Sequence, residues 1–269
     1  MSELVTAVAE DGNTILIGGQ ALNFWGTYYL HRTDELRRFD PFTSKDIDFY
    51  GPPSSAERLN AIVGGEIRYP GPGEHTPEMA VIEATIQGHE VTIDYMSYLA
   101  GVDVKQVKKS PSEALVEVKD TDQPRSVTAL VMNPWHVFRS RAGNVIEVGR
   151  KGEHSLSQLE ASIIILREFL IETLEESEQV DNPRGYQRGV TSILTELAQF
   201  LRADKNGRLI DGYAQTDPAS ILSLFMEDGR LDKRWRDKQL GGQIEKLTAA
   251  RERRSERTRR LPRTSHSAA

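Results

Sequence analysis

The pattern of apolar residues changes at Asn133-Pro134, and this change constrains the fold more than any other feature of the 269-residue chain. Before it, short β-rich runs such as Thr14 to Ile17 alternate with turn residues. After it, Ser155 to Glu176 carries apolar side chains at a helical spacing. The sequence therefore predicts an α/β domain with a mixed sheet over residues 1–132, followed by a helical domain over residues 133–250.

Turn and cap signals give the bounds of the individual elements. The polar segment Arg32 to Phe42 contains Pro41 and is predicted to be a loop. Ser54-Ser55 and Ser155 can each cap a helix, and Gln87-Gly88-His89 is typical of a hairpin connection. The predicted strands are Thr14–Ile17, Asp46–Tyr50, Met79–Ile86, Glu90–Met96, Ala114–Val118 and Val127–Met132, and the predicted helices are Ala21–Leu30, Ser54–Val63, Ser155–Glu176, Tyr186–Ala203 and Asp217–Met226.

Composition excludes several classes of protein. Apolar residues make up 38% of the chain and charged residues 28%, so a sizeable core is expected rather than extensive disorder. The chain has no cysteine, which rules out disulfides, cysteine-based zinc sites and cysteine nucleophiles. Its apolar runs fall short of the roughly 20 residues that span a bilayer, and its N-terminus lacks a signal-peptide pattern. A cytoplasmic protein without membrane contact is therefore expected.

The charge of the chain is unevenly distributed. A net charge of −6 argues against a general attraction to nucleic acid, but residues 251–263 contain seven arginines and only two glutamates. A local basic segment can bind phosphate even on an acidic protein, although a solvated surface is the simpler interpretation. Residues 251–269 are expected to form a basic, disordered tail.

A predicted strand that runs into two glycines is the first of three features that indicate chemistry. The segment Ile17-Gly18-Gly19-Gln20-Ala21 leads from that strand into a predicted helix. Free backbone N–H groups at such a helix start, together with the helix dipole, can hold a phosphate. Because most glycine pairs only mark turns, this feature depends on its neighbours for its meaning.

Acidic residues on two further predicted strands are the second and third features. In the segment Lys45-Asp46-Ile47-Asp48-Phe49, alternation places Asp46 and Asp48 on one face of the strand. Paired carboxylates are costly unless a cation neutralises them, and magnesium bound by one or two carboxylates and substrate phosphates is a common solution. Asp94 follows on the second strand of the predicted hairpin. The segment Asp120-Thr121-Asp122 has the same spacing without apolar flanks and is predicted to be a loop.

The segments GGQALNFWG, TSKDIDFYG and VTIDYM together resemble the nucleotidyltransferase superfamily with the polymerase-β-like fold, and within it the AbiEii group. The resemblance covers residues 14–96. It implies a metal-dependent transfer of a nucleoside monophosphate from an NTP to an acceptor, which could be an RNA 3′ end, a protein or a small molecule. It also implies the toxin of a toxin–antitoxin or phage-defence system, with an antitoxin protein as its neutralising partner.

The resemblance further assigns roles to individual residues. Asp46 and Asp48 would bind two Mg²⁺ ions against the triphosphate, and Asp94 would complete the second metal site and help to activate the acceptor hydroxyl. The group often carries a lysine in the helix after the sheet, and Arg139 stands at the corresponding position, where it could bind phosphate or form part of a salt-bridged helix face with Arg141. The residues expected to contact the nucleotide are Gly18, Gly19, Gln20, Lys45 and Arg139.

Two other functions remain open. One is a non-catalytic module that binds nucleotide or nucleic acid on the same scaffold, and the other is an interaction protein in which the acids are incidental. Lys45 lies beside the acids, but strand alternation directs it away from them. The sequence lacks the motifs G-x-x-x-x-G-K-[ST], G-x-G-x-x-G, G-x-S-x-G and H-E-x-x-H, which argues against a P-loop ATPase, a dinucleotide-binding enzyme, a serine hydrolase and a zinc protease.

Overall fold

The computed structural model of the protein describes residues 2–42, 46–118 and 125–260. Contacts divide the chain into two compact units, Met1–Leu166 and Arg167–Ala269. Within the described residues, a mixed sheet with helices extends to Val131, and every element from Pro134 onwards is helical. This arrangement confirms the predicted fold class.

The strands have nearly the predicted bounds. They are β1 Ile15–Leu16, β2 Asp46–Tyr50, β3 Glu66–Arg68, β4 Glu78–Ile86, β5 His89–Met96, β6 Ser112–Val118 and β7 Arg125–Val131. The short strand β3 is not among the predicted elements, because three residues are too few to establish an alternating pattern. In the first unit the helices are α1 Ser2–Asp11, α2 Gly18–Tyr29, α3 Pro53–Val63, α4 Val104–Lys109 and α5 Pro134–Ile146.

Among the described residues, the strands form one seven-stranded sheet in the order β3-β4-β5-β2-β1-β7-β6. β2 pairs with β5, and β1 with β7, in parallel, whereas the other neighbours are antiparallel. The central strands therefore bring together segments that are distant in sequence. In particular, β2 and β5 lie side by side although the whole of α3, β3 and β4 separates them in the chain.

One face of the sheet carries a hydrophobic core of the first unit. Phe49, Ile82, Ile93 and Tyr95 point from the central strands towards α1 and α3 and are almost fully buried. Burial of a large apolar side chain contributes about 1.5–3 kcal/mol, so this face supplies much of the stability of the sheet. Because strand side chains alternate, the residues between these positions point to the opposite face.

Three local expectations differ from the structure. The predicted loop between Arg32 and Phe42 contains a 3₁₀ helix, Asp34–Phe39, whose N-cap Thr33 accepts a hydrogen bond from the backbone of Glu35. The hydroxyl of Ser55 does not cap α3, because it donates to Asp11 Oδ2 at 2.7 Å. The helix expected to start at Ser155 begins two residues earlier and spans Glu153–Ser177 as α6. The loop predicted at residues 120–122 lies outside the described residues.

The described part of the second unit is helical. Its elements after α6 are α7 Arg184–Arg202, α8 Asp204–Tyr213, α9 Ala219–Met226, the short α10 Lys233–Trp235, a π-helical turn Arg236–Leu240 and α11 Gly241–Arg260. No helix among the described residues is long and apolar enough to cross a membrane.

The segment predicted to be a disordered tail starts inside a helix. Residues 251–260 form the last turns of α11, and residues 261–269 lie outside the described residues. Arg251 donates to Asp211 and Asp217 at 2.7 Å, and Arg254 donates to Asp211 at 2.9 Å. These arginines are three residues apart and thus lie on one side of the helix, where they pair with acids of the same unit. The arginine-rich composition alone does not reveal these partners.

Candidate active site

The turn between β1 and α2 brings a helix N-terminus against β2. Gly18 has a φ of 65°, in the left-handed region that favours glycine. A Cβ atom on Gly18 would overlap the carboxylate of Asp48, so a larger residue would displace that side chain. The next residue, Gly19, donates its backbone N–H to Asp48 Oδ2 at 3.3 Å. The structure thus places both glycines directly beside one of the predicted acids.

Asp46, Asp48 and Asp94 project from the face of the sheet opposite the core. Asp48 and Asp94 are register partners on the parallel strands β2 and β5, and Asp46 precedes Asp48 by two residues. Side chains at paired positions, and at alternate positions of one strand, share a face. The three aspartates line one cavity of about 820 Å³ together with Gly18 and Gly19. We call this space the carboxylate cavity.

The carboxylates in this cavity disfavour each other's charge. Burial and, to a smaller extent, the charges of Asp48 and Asp46 raise the pKa of Asp94 to about 6. Burial also raises the pKa of Asp48, although the N–H of Gly19 and the charge of Arg141 oppose this rise. A bound cation would relieve both effects, because an opposite charge nearby favours the ionised form of a carboxyl group.

Glu78 is a fourth carboxylate of the cavity, and the sequence patterns do not point to it. It lies at the start of β4, where the pairing with β5 shifts in register between Glu78 and Ala80. Such a bulge changes the direction in which a side chain points. Glu78 lines the carboxylate cavity, and its charge raises the pKa of both Asp48 and Asp94. The bulge depends on pairing with another strand, so alternation along β4 alone could not reveal it.

The helix α5 contributes Arg141, rather than the predicted Arg139, to the carboxylate cavity. Ser140, Arg141 and Asn144 line the cavity, whereas Arg139 does not. Successive residues of an α-helix are rotated by about 100°, so side chains two positions apart point to nearly opposite sides. The structure therefore brings Arg141, and not Arg139, to the wall of the cavity that holds the acids; contact of Arg139 with a nucleotide stays a prediction.

Arg141 is a buried cation with few partners. Only 7% of its surface is exposed. Its Nη1 donates to Gln158 Oε1 at 3.0 Å and its Nη2 to Ser140 Oγ at 3.2 Å. Within the described residues its Nε has no hydrogen-bond partner and its guanidinium forms no ion pair. Burial lowers the pKa of Arg141 to about 10, while the charge of Asp48 opposes that change.

Arg139 instead connects α5 to the segment that follows β5. Its Nη2 donates to the carbonyl oxygen of Gly101 at 3.0 Å, and its guanidinium lies 5.5 Å from the ring centroid of Trp135. The backbone N–H of Gly101 donates to Glu147 Oε2 at 3.0 Å, which adds a second connection. Since Leu99 and Ala100 of the same segment line the carboxylate cavity, Arg139 supports a wall of the cavity without entering it.

Gln20 and Lys45 are the two remaining residues that were predicted to contact the nucleotide. Gln20 lines a separate apolar cavity of about 220 Å³, together with Leu4 and Phe24, on the other side of α2. The structure does not bring Gln20 to the acids, because two helical steps turn it away from the side of Gly18. Lys45 lies outside the described residues.

The remaining walls of the carboxylate cavity combine cationic, polar and apolar groups. Gln158 accepts from Arg141, and its Nε2 lies 3.1 Å from Nε2 of His154. Tyr98 is 54% exposed at the cavity and donates to Glu147 Oε2 at 3.3 Å. The other lining residues include Met96, Leu99, Val148 and Arg150. Met96 ends β5, His154 and Gln158 lie in the first turns of α6, and the other positions lie in loops. No periodic pattern singles out a functional side chain at such positions.

The donor atoms of the cavity suit magnesium, but they do not form a complete metal site. Within residues 2–42, 46–118 and 125–260, no three histidine or carboxylate side chains are arranged to hold a metal ion. Magnesium commonly takes only one or two protein carboxylates and completes its octahedral shell with water and substrate phosphates. The carboxylates of Asp46, Asp48 and Asp94 fit this kind of site, in which metal and phosphate bind together.

No protein-family model, no curated protein and no solved structure matches the chain.

Proposed function

We propose that the protein is a metal-dependent nucleotidyltransferase that moves a nucleoside monophosphate from an NTP to an acceptor hydroxyl. One observation carries the proposal: the buried guanidinium of Arg141 lies in the same cavity as three aspartates and forms no ion pair among the described residues. A buried charge without an ion-pair partner is costly even when neutral groups accept its hydrogen bonds, so a ligand that supplies an anion would be favoured there. The aspartates require a cation, and a magnesium–triphosphate complex satisfies both demands.

The arrangement of charges supports a direction for the bound donor. The N-terminus of α2, at Gly18 and Gly19, and the guanidinium of Arg141 lie beside Asp48. Both can hold phosphate oxygens, since helix N-termini and arginine bind phosphate well. The triphosphate therefore lies along Asp48 towards the start of α2. Asp94, on the neighbouring strand β5, lies on the side of Asp48 that faces away from the start of α2.

Each residue of the site then has a task in the transfer. Asp46, Asp48 and Asp94 would hold magnesium, which when bound neutralises the triphosphate and polarises the phosphate that is attacked. Arg141 and the N-terminus of α2 stabilise the negative charge that builds up on the departing pyrophosphate. Gln158 and Ser140 fix the position of the Arg141 guanidinium. Such reactions depend mainly on positioning and on charge neutralisation, which these groups provide.

The acceptor and the biological role are broader proposals. An RNA 3′ end, a protein hydroxyl or a small molecule can each supply the attacking oxygen. The resemblance of residues 14–96 to the AbiEii group supports a role as a toxin that an antitoxin protein neutralises. Because the carboxylate cavity has a volume of about 820 Å³, it can hold a nucleotide and part of an acceptor together.

Variants of the acids test this function. The purified protein is incubated with magnesium, each NTP labelled at the α-phosphorus, and either deproteinised cellular RNA or cellular protein. We expect the wild type and the control Asp34→Ala, a surface residue with an 87% exposed side chain, to transfer label. Asp46→Ala and Asp48→Ala should keep their fold and lose transfer. Transfer at the wild-type rate by either variant contradicts the assignment, and magnesium-dependent NTP binding without any product favours the non-catalytic module.

A further inference from the structure

Glu78 is a carboxylate of the cavity that has no role in the transfer as described above. It is half-buried, and within the described part of the chain its side chain forms no hydrogen bond or ion pair. The bulge between Glu78 and Ala80 sets its position, so its direction into the cavity is built into the pairing of β4 and β5. A carboxylate held in this way among three others weakens the stability of the site, since like charges repel. Such a residue calls for a functional explanation.

The order of the strands places Glu78 on a particular side of the site. From the start of α2 the cavity crosses β2, with Asp48, then β5, with Asp94, and ends at β4, with Glu78. Neighbouring strands are about 4.8 Å apart, so β4 lies roughly 10 Å beyond β2. The phosphate-binding groups, Arg141 and the start of α2, are at the opposite end, beside Asp48. Glu78 is therefore distant from the groups that would hold the pyrophosphate.

In nucleotidyl transfer the attacking and leaving oxygens lie roughly in line on opposite sides of the phosphorus. If pyrophosphate leaves towards Arg141 and the start of α2, the acceptor hydroxyl approaches from the side of β5 and β4. We propose that Glu78 is a catalytic residue that accepts a hydrogen bond from the acceptor hydroxyl and takes its proton. This inference rests on the proposed function, and it leaves Asp94 free to remain a metal ligand throughout the reaction.

The acceptor O–H bond breaks and its proton passes to the Glu78 carboxylate. The acceptor oxygen forms a bond to the α-phosphorus of the NTP, and the bond from that phosphorus to the bridging oxygen breaks. Pyrophosphate leaves with the electron pair of that bond, and Glu78 afterwards releases its proton to water. The products are the nucleotidylated acceptor, pyrophosphate and one proton.

The test separates chemistry from binding in the variant Glu78→Gln. Glutamine keeps the size of the side chain and removes its ability to take a proton. Glu83→Gln is the matched control, because Glu83 is an exposed residue of the same strand that does not line the cavity. Three quantities are measured for each protein: the Kd for each NTP in magnesium, the magnesium concentration for half-maximal binding, and the rate of label transfer to deproteinised RNA or cellular protein.

For Glu78→Gln we expect a transfer rate at saturating NTP at least about a hundredfold lower, the range typical of a lost proton acceptor. The Kd for NTP and the magnesium requirement should stay within about threefold of the wild type, and Glu78→Asp should recover part of the rate. An unchanged rate overturns the role of Glu78 alone. A large rise in the magnesium requirement overturns it too, because Glu78 would then be a metal ligand. Absence of transfer by the wild type overturns the proposed function and this inference with it.

Discussion

Asp48 and Asp94 are register partners on adjacent parallel strands, so their carboxylates project side by side from the same face of the sheet. The chain places forty-five residues between them, and only the pairing of β2 with β5 brings them together. Two like charges at paired positions destabilise the folded protein unless a cation is bound. Both this pair of carboxylates and the guanidinium of Arg141 on another wall of the cavity determine how substitutions should change stability and binding.

Asp94→Asn should raise the melting temperature without magnesium at pH 7.5, because it removes a partly buried charge that the neighbouring carboxylates also repel. Asp94 is half-buried, so we expect a screened effect of about 1 kcal/mol, or about 2–4 °C for a protein of this size. The folded-state pKa of about 6 lies above the usual value of an aspartate, 3.8, so the penalty is complete above pH 6 and disappears near pH 4. Thermal melts at both pH values check this. A variant that melts below the wild type at pH 7.5 contradicts it.

Arg141→Met and Arg139→Met should have opposite effects. Arg141→Met loses a phosphate contact worth about 1.5–3 kcal/mol, so its Kd for magnesium–NTP should rise about tenfold or more while its stability is maintained or improved. Arg139→Met loses its bond to Gly101 and should melt at a lower temperature with a nearly unchanged Kd. Isothermal titration and thermal melts measure both quantities. If Arg139→Met had the larger effect on NTP affinity, Arg139 rather than Arg141 would be the arginine that contacts the nucleotide.

Gly18→Ala should impair function more than Gly12→Ala. Both glycines have a positive φ, 65° and 63°, so alanine costs about 1–2 kcal/mol of stability at either position. Only at Gly18 does the new Cβ meet the Asp48 carboxylate, whereas at Gly12 it has open space. We therefore expect a loss of stability in urea denaturation for both variants, at least as large in Gly18→Ala because of the overlap with Asp48, and loss of magnesium–NTP binding in Gly18→Ala alone. Equal binding by the two variants would show that the close approach has no functional role.

His136 should make the stability of the folded protein decrease in acid, independently of the carboxylate cavity. It is 5% exposed, its Nδ1 has no hydrogen-bond partner among the described residues, and burial lowers its pKa to about 4. The unfolded chain binds the proton near pH 6.5, so stability falls as the pH decreases from about 6.5 to 4, by about 2 kcal/mol at pH 5. His136→Gln should remove most of this loss. Urea denaturation of both proteins at pH 7.5 and pH 5 gives the comparison, and an equal loss in both would refute the role of His136.

Local patterns predict six of the seven strands and the long helices α6 and α7 well, because period and end signals are local, whereas the long helix α11 is not among the predicted helices. The alternation that places Asp46 and Asp48 on one face is visible in five consecutive residues. By contrast, the contact of Gly18 with Asp48 depends on which strand α2 starts beside, and the direction of Glu78 depends on a bulge against β5. Both are properties of pairing, which a single sequence does not display.

The cationic part of the site was harder to predict for a different reason. Arg139 and Arg141 lie in the same helix and have the same chemistry, so the residues themselves do not show which one enters the cavity. Packing determines which arginine lines the cavity. Arg139 contacts Gly101 and Trp135, and this orientation of α5 turns Arg141 towards Gln158 and the acids. In α2, likewise, the rotation of about 100° per residue directs Gln20 to the apolar cavity instead of to the acids.

The most direct measurement of nucleotidyl transfer compares two labels in the same NTP. The protein is incubated with magnesium, cellular RNA or cellular protein, and NTP labelled either at the α-phosphorus or at the γ-phosphorus. We expect the α label to enter the acceptor and the γ label to be released as pyrophosphate, with neither event in Asp48→Ala. Transfer of the γ label to the acceptor, or no transfer of either label by a protein that is folded, would contradict it.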